Sequence, residues 1–434
     1  MPSSISPVAW AIIVCSLMLL PVGVSAQERP TPPREPRYEH FKLGVFMDSS
    51  KERVLSVPLT KVFTDFLTRG IELVSIGTEN YYSLAREKNL NTYAKANGVE
   101  FIGWLPHPSP IDGVHNEDDL RAYIQGNVDT LNALPDSDAV IAWRIFDEVE
   151  SAFWGEADRA ERLERVGANF RRFSDLIREI DPKRLVATNH GYMPGESWLD
   201  QGEDLPMSST GMTGIYNSDR IRGEIASAQA LGFHNYFTVA QACPCPLGEP
   251  NLRWYGYREP ISDAVIASRT PAQHIQDYAE VAYTQGSAGI IYFLYWAGGD
   301  NYTEYTLTDV NGNDYLGKWE AVRQAAQNIR RWEGAPELRM TAPVNGTWTT
   351  LPFAVTVEVT APAEEPVTLV QADYSLDGAL SWQKLPDATD MPYIFTIGAD
   401  QVEELPATVW VRARAANARG GSLWDVAELR ISRD

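Results

Sequence analysis

An α/β chain with a (β/α)8 TIM barrel, followed by a small all-β sandwich, is the fold class the sequence predicts, and three observations carry it. Eight apolar, β-rich runs recur between residues 41 and 296, each followed by a turn signal and most by helical periodicity. Eight such units over about 300 residues fit a closed parallel barrel, which takes about 250 residues plus insertions. Beyond Gly334-Ala335-Pro336 the helical pattern stops and only short alternating strands follow.

The first run, Phe41 to Met47, leads into Asp48-Ser49-Ser50-Lys51. That is not the Gly-rich phosphate loop of an open doubly wound sheet. The next runs are Ile71 to Gly77, Glu100 to Leu105, Val140 to Phe146 and Leu185 to Thr188. Met212 to Tyr216, Tyr236 to Gln241 and Gly289 to Trp296 complete the eight. The clearest helix between them has Leu163, Val166, Phe170, Phe173, Ile177 and Ile180 at three- and four-residue steps, stopped by Asp181-Pro182. After Thr341 the strands Phe353 to Val359, Thr368 to Tyr374 and Thr408 to Ala415 alternate apolar and polar residues, with a turn at Asp377-Gly378.

Val8 to Val24 is apolar and ends in Val24-Ser25-Ala26, a small-x-small cleavage pattern. It reads as a signal peptide, too short and too interrupted by Pro and Gly for a span of about 20 residues. The predicted organisation is therefore a leader (1–26), a Pro-rich linker (27–38), a barrel (39–336) and a sandwich (337–434), secreted or periplasmic. With 434 residues, 44% hydrophobic content and 13 Trp, the chain can bury a large core. A formal net charge of -21 argues against nucleic acid or anionic membrane as partner. Past the leader only Cys243 and Cys245 remain, which supplies neither a disulfide framework nor a tetrahedral cysteine metal site.

Barrel chemistry sits at the C-terminal ends of the strands. The predicted ends deliver Asp48, Glu79, His107, Asp147 with Glu148, Asn189 with His190, Tyr216, Gln241, and Trp296 with Asp300, while Trp104 lies in the third run. Arg144 shares strand parity with Glu148, so both are expected to face the barrel axis. A buried Arg needs a partner, so Arg144 is expected to bridge to an acidic group near the mouth.

The run Ile141-Ala142-Trp143-Arg144-Ile145-Phe146-Asp147-Glu148 is similar to the end of strand four in (β/α)8 glycoside hydrolases that carry Asn-Glu-Pro or Asp-Glu-Pro there. Val149 stands in place of the Pro. The resemblance implies Glu148 as general acid/base, and Asp147 binding a sugar hydroxyl or orienting Glu148. It further implies a carbohydrate substrate, no cofactor, and Trp296 as a stacking platform. The long segment from Gln241 to Thr270 is expected to form a substrate wall, with Trp254 and Tyr257 for stacking and Arg253 and Arg258 for a sulfate or carboxylate. The 337–434 segment resembles immunoglobulin- or fibronectin-like sandwiches, and Ser375-x-Asp377-Gly378-x-x-x-Trp382 is similar to a hairpin common in such modules of secreted bacterial enzymes. A spacer or stabilising role and a carbohydrate-binding role are both open for it. A chain ending near Pro336 is expected to fold alone.

Two other functions stay open. Gln241 holds the place where these hydrolases carry a nucleophilic Glu, as a non-catalytic carbohydrate-binding barrel would. A metal-dependent hydrolase would need more than His107 and His190 at the mouth. With Gln241 neutral, the second carboxylate is expected from Asp48, Glu79 or Asp300, across the mouth from Glu148. Asp48 and Glu79 are preferred, and the longer separation predicts inversion.

Overall fold

The computed structural model describes residues 38, 40–47, 57–77, 81–108, 116–147, 158–190, 203–211, 218–233, 235–241, 271–293, 307–309, 311–315, 317–388 and 390–432. The leader, most of the linker, and Asp48, Glu79, Glu148, Tyr216, Cys243, Cys245, Trp254, Tyr257, Trp296 and Asp300 lie outside them.

Eight parallel strands close into a barrel in chain order, β8 pairing back onto β1. They are β1 (Lys42–Met47), β2 (Ile71–Ile76), β3 (Glu100–Trp104), β4 (Val140–Asp147), β5 (Leu185–His190), β6 (Leu205–Gly211), β7 (Phe237–Gln241) and β8 (Gly289–Phe293). The described helices around them are α1 (Leu59–Arg69), α2 (Tyr81–Lys88), α3 (Leu90–Ala96), α4 (Glu117–Asn132), α5 (Arg159–Ile180), α6 (Ser218–Ala230), α7 (Pro271–Thr284) and α8 (Lys318–Glu333).

Strand alternation divides the core into two shells. Phe46, Leu73, Ile102, Ala142, Ala187, Met207, Val239 and Ile291 fill the barrel interior. Val45, Val74, Phe101, Trp143, Val186 and Tyr292 face outward and meet the helices. The helices supply matching stripes: Leu59, Val62, Phe63, Phe66 and Leu67 on α1, and Leu163, Val166, Phe170, Phe173 and Ile177 on α5. At Gly289 an added Cβ would lie 2.3 Å from the Lys42 carbonyl oxygen and 2.6 Å from the Phe237 ring, so only glycine fits there.

The sixth strand corrects the sequence expectation. It spans Leu205–Gly211, upstream of the expected Met212 to Tyr216, which lie outside the described residues. Pro206 and the Ser-Ser-Thr-Gly tail read as loop, yet β6 pairs β5 from Leu205 to Ser208 and β7 from Met207 to Gly211.

Asp181, the predicted stop of α5, secures the turn into β5. Its carboxylate accepts from Trp143 Nε1 at 2.8 Å and from Arg184 Nη1 at 2.7 Å, with the Asp181 and Arg184 side chains 2% and 1% exposed. Arg184 also donates to the carbonyls of Val140 and Ser137 at 2.9 Å, tying this turn to the entry of β4. Asp181→Ala is expected to lower unfolding free energy by about 3–5 kcal/mol, because it strands a buried guanidinium. Urea denaturation reads the change, and a loss within the ~0.5 kcal/mol of an ordinary surface substitution would contradict it.

The C-terminal region is a two-sheet sandwich around one core. One sheet runs β10 (Trp348–Thr349), β17 (Asp425–Ile431), β15 (Ala407–Asn417), β12 (Leu369–Ser375), β13 (Gln383–Lys384), with β16 (Gly420–Gly421) beside β15. The other runs β14 (Tyr393–Ile397), β11 (Phe353–Thr360), β9 (Glu337–Ala342). Val355, Phe395, Val370, Val411 and Leu429 from both sheets share the core.

Barrel and sandwich lie in one compact unit, Glu35–Asp434. The Ser375-x-Asp377-Gly378 turn is built by its own side chains: Ser375 Oγ donates to Asp377 Oδ1 at 2.8 Å and accepts from Ala379 N at 2.9 Å. Its carbonyls then face the barrel, Gly378 O accepting from Thr60 Oγ1 at 2.7 Å and Ala379 O from Asn97 Nδ2 at 3.0 Å. Trp382 Nε1 donates to Asn97 Oδ1 at 3.0 Å. Arg412 lies 4.2 Å from the rings of both Trp382 and Trp424, donates to Asp373 at 2.8 Å and reaches Ala96 O at 3.2 Å. These contacts fall on α1, α3 and the residue after α3, not on the C-terminal strand ends.

Candidate functional site

Strand four builds the centre of the barrel mouth. Its pairing with β5 runs in register to Arg144↔Ala187 and resumes at Asp147↔Asn189, three residues on one strand against two on the other. That is a β-bulge, and it reverses side-chain parity past Arg144. Ile145 and Phe146 both join the outer shell, Phe146 packing 4.5 Å from the Phe170 ring of α5 and 4.9 Å from His190. Asp147 turns inward instead. Asp147 thus shares the inward face with Arg144, while Glu148, expected on that face too, lies outside the described residues.

Asp147 is exposed at the strand end and accepts from Asn189 Nδ2 at 2.5 Å. Asn189, nearly buried, follows the parity of Ala187 on β5, so neighbouring strands meet at one carboxylate. One inward step below lies Arg144, 6% exposed. Its guanidinium lies 4.6 Å from the Trp104 ring of β3 and 4.9 Å from the Phe46 ring of β1. Burial pushes the Arg144 pKa down and the charge of Asp147 pulls it back up. Among the described residues no ion pair joins Arg144 to an acid and Asp147 acts on it through space, while Asp48, Glu79, Glu148 and Asp300 lie outside those residues.

Two sequence-predicted residues face the other way. His107, buried after β3, packs its ring 4.8 Å from Phe173 and 5.6 Å from Phe170 of α5. His190 is fully buried behind β5, its Nε2 3.1 Å from Thr188 Oγ1 and 3.3 Å from Glu203 Oε1. Strand five runs two residues further than predicted, so Asn189 alternates inward and His190 outward. Neither histidine joins the mouth, where a metal-dependent reading would need them. Among the described residues no three His, Cys, Asp or Glu side chains gather as metal ligands, and no helix is long and apolar enough to cross a membrane.

The structure therefore brings Trp104, Asp147 and Asn189 together with Arg144, and Gln241 ends β7. Phe46 was missed by sequence reasoning, although alternation along β1 marks it as inward. Ser75 of β2, inward on the parity of Leu73 and fully buried, was missed as well; a lone polar residue in an apolar run was the signal.

No family model matches the chain, and no curated protein matches it. Among solved structures it is similar to an endo-β-1,4-mannanase from Thermotoga petrophila, at 12% identity and TM-score 0.44 over 92% of this chain and 99% of that one. It is similar to β-glucuronidase 2 from Bacteroides uniformis, at 12% identity and TM-score 0.46 over 91% of this chain. It is also similar to a β-galactosidase from the haloarchaeon Halorubrum lacusprofundi, at 12% identity and TM-score 0.47 over 71% of this chain and 61% of that one. The chain spans 46% of the length of that β-glucuronidase.

Proposed function

We propose that the protein is a secreted glycoside hydrolase acting on a poly- or oligosaccharide at the barrel mouth, with Glu148 as general acid/base. The observation that carries the reading is the Asp147 carboxylate, turned inward by the β4 bulge, exposed to solvent and held by Asn189. A fixed carboxylate in that place can take a sugar hydroxyl and orient its neighbour, which protonates the departing glycosidic oxygen. Trp104 offers a ring one step below, beside Arg144, and the apolar leader read at 1–26 supports export.

The second carboxyl group in this reading is Asp48, Glu79 or Asp300, with Asp48 and Glu79 preferred. A carboxylate across the mouth suits the ~6.5–9.5 Å separation that leaves room for a water, and hence inversion. Proton NMR of a digestion tests both levels of the proposal. New anomeric resonances whose first-formed member is inverted support it, and retained configuration removes the inverting assignment. A non-catalytic carbohydrate-binding barrel is the second reading, favoured by the neutral Gln241 at the end of β7. It predicts binding with no new anomeric resonance.

A further inference from the structure

Among the described residues the mouth holds a charge that the proposed chemistry does not use. Arg144 is 94% buried, since 6% of it is exposed, and its Nε and Nη1 are buried with no hydrogen-bond partner. The rings of Trp104 and Phe46 flank the guanidinium and offset part of its desolvation, but they offer no acceptor to its N–H groups. Asp147, the acid that acts on it through space, is committed to the Asn189 amide at 2.5 Å.

A guanidinium stays charged in a protein, and leaving a buried charged donor unsatisfied costs more than the ~1–3 kcal/mol of a neutral group. A sugar hydroxyl would accept a bond without balancing the charge. An oxyanion supplies acceptor atoms and opposite charge together, in a geometry the planar guanidinium matches. We infer that Arg144 is the anion-recognising element of the barrel mouth, taking the carboxylate or sulfate of an acidic sugar. This rests on the carbohydrate reading above and deepens it: the substrate class is an anionic glycan. Arg144 acts here in binding, one step below Asp147 on the same inward face.

Isothermal titration of the full chain at low ionic strength tests it, with D-glucuronate, D-galacturonate and D-glucose 6-sulfate compared with D-glucose and D-galactose. At least one acidic sugar is expected to bind ~10-fold or more tightly than its neutral parent, the worth of one charged hydrogen bond. A preference confined to the uronates assigns the site to a carboxylate, and one confined to the sulfate assigns it to a sulfate ester. The preference is expected to vanish in Arg144→Met and to survive in part in Arg144→Lys, which keeps the charge without the fork. Wild-type affinities that are equal for acidic and neutral parents, or no binding of any acidic sugar, would overturn the inference whether or not the variants fold. So would a folded Arg144→Met that keeps the preference. Hydrolysis of glycans with no acidic preference overturns this inference and leaves the glycosidase standing, whereas acidic-sugar preference without hydrolysis does the reverse.

Discussion

Glu148→Gln is expected to lower the rate of glycan hydrolysis by about 10²–10⁴-fold, the usual contribution of a positioned general acid. The exchange removes a titratable proton and keeps the side-chain volume, so substrate binding and the thermal midpoint should stay near wild type. The support for Glu148 comes from its neighbour. The bulge in β4 brings Asp147 to the mouth and Asn189 holds it there, which fixes the backbone one residue before Glu148. Steady-state kinetics with a thermal melt separates chemistry from folding. Activity within a factor of about three of wild type would remove Glu148 from the mechanism, since no general acid contributes so little.

Deleting the sandwich after Pro336 is expected to cost the barrel its stability, contrary to the independence expected from composition. Asn97, 5% exposed in the full chain, bonds the sandwich through both ends of its amide, and Thr60 meets Gly378. Gly378 has φ 78°, and an added Cβ would lie 2.8 Å from Thr60 Oγ1, so the turn is shaped to the barrel surface it touches. The same interface can be opened by one substitution. Arg412→Ala removes the cation between Trp382 and Trp424 and leaves Asp373, 2% exposed, without its charge partner, only the Gln371 amide still donating to it. A loss of about 3–5 kcal/mol is expected, as for other broken buried pairs. A truncated chain that is soluble and melts at the wild-type temperature would show that the sandwich is a dispensable appendage.

The barrel was legible because parallel strands buried on both faces read as apolar runs and α5 carries an unbroken helical stripe. Strand six was not, because a strand made of Pro206, Ser208, Ser209, Thr210 and Gly211 has a loop's composition; its place is set by β5 and β7 on either side. At the site, the inward position of Arg144 was expected from its shared parity with Glu148, and pairing with Ala187 and the rings of Trp104 and Phe46 place it there. The reversal at Asp147 was not expected, since a bulge leaves no mark in a single sequence beyond the residues it displaces. The histidines failed for a related reason. Polarity suggested solvent, but one extra pair of residues in β5 sends His190 behind the wall, and His107 fills an aromatic niche against α5. The sandwich motif was recognised as a turn, while its role as the barrel contact depended on Thr60 and Asn97, more than 280 residues earlier in the chain.

The most direct test of the central claim, that the barrel mouth hydrolyses glycosidic bonds, is the release of reducing ends by the wild-type protein. The panel should include neutral, uronate-containing and sulfated polysaccharides, each assayed with and without a chelator. The account predicts chelator-insensitive release from at least one of them, the acidic ones first. Binding to the panel without release of reducing ends from any member would contradict it and leave a carbohydrate-binding barrel in its place.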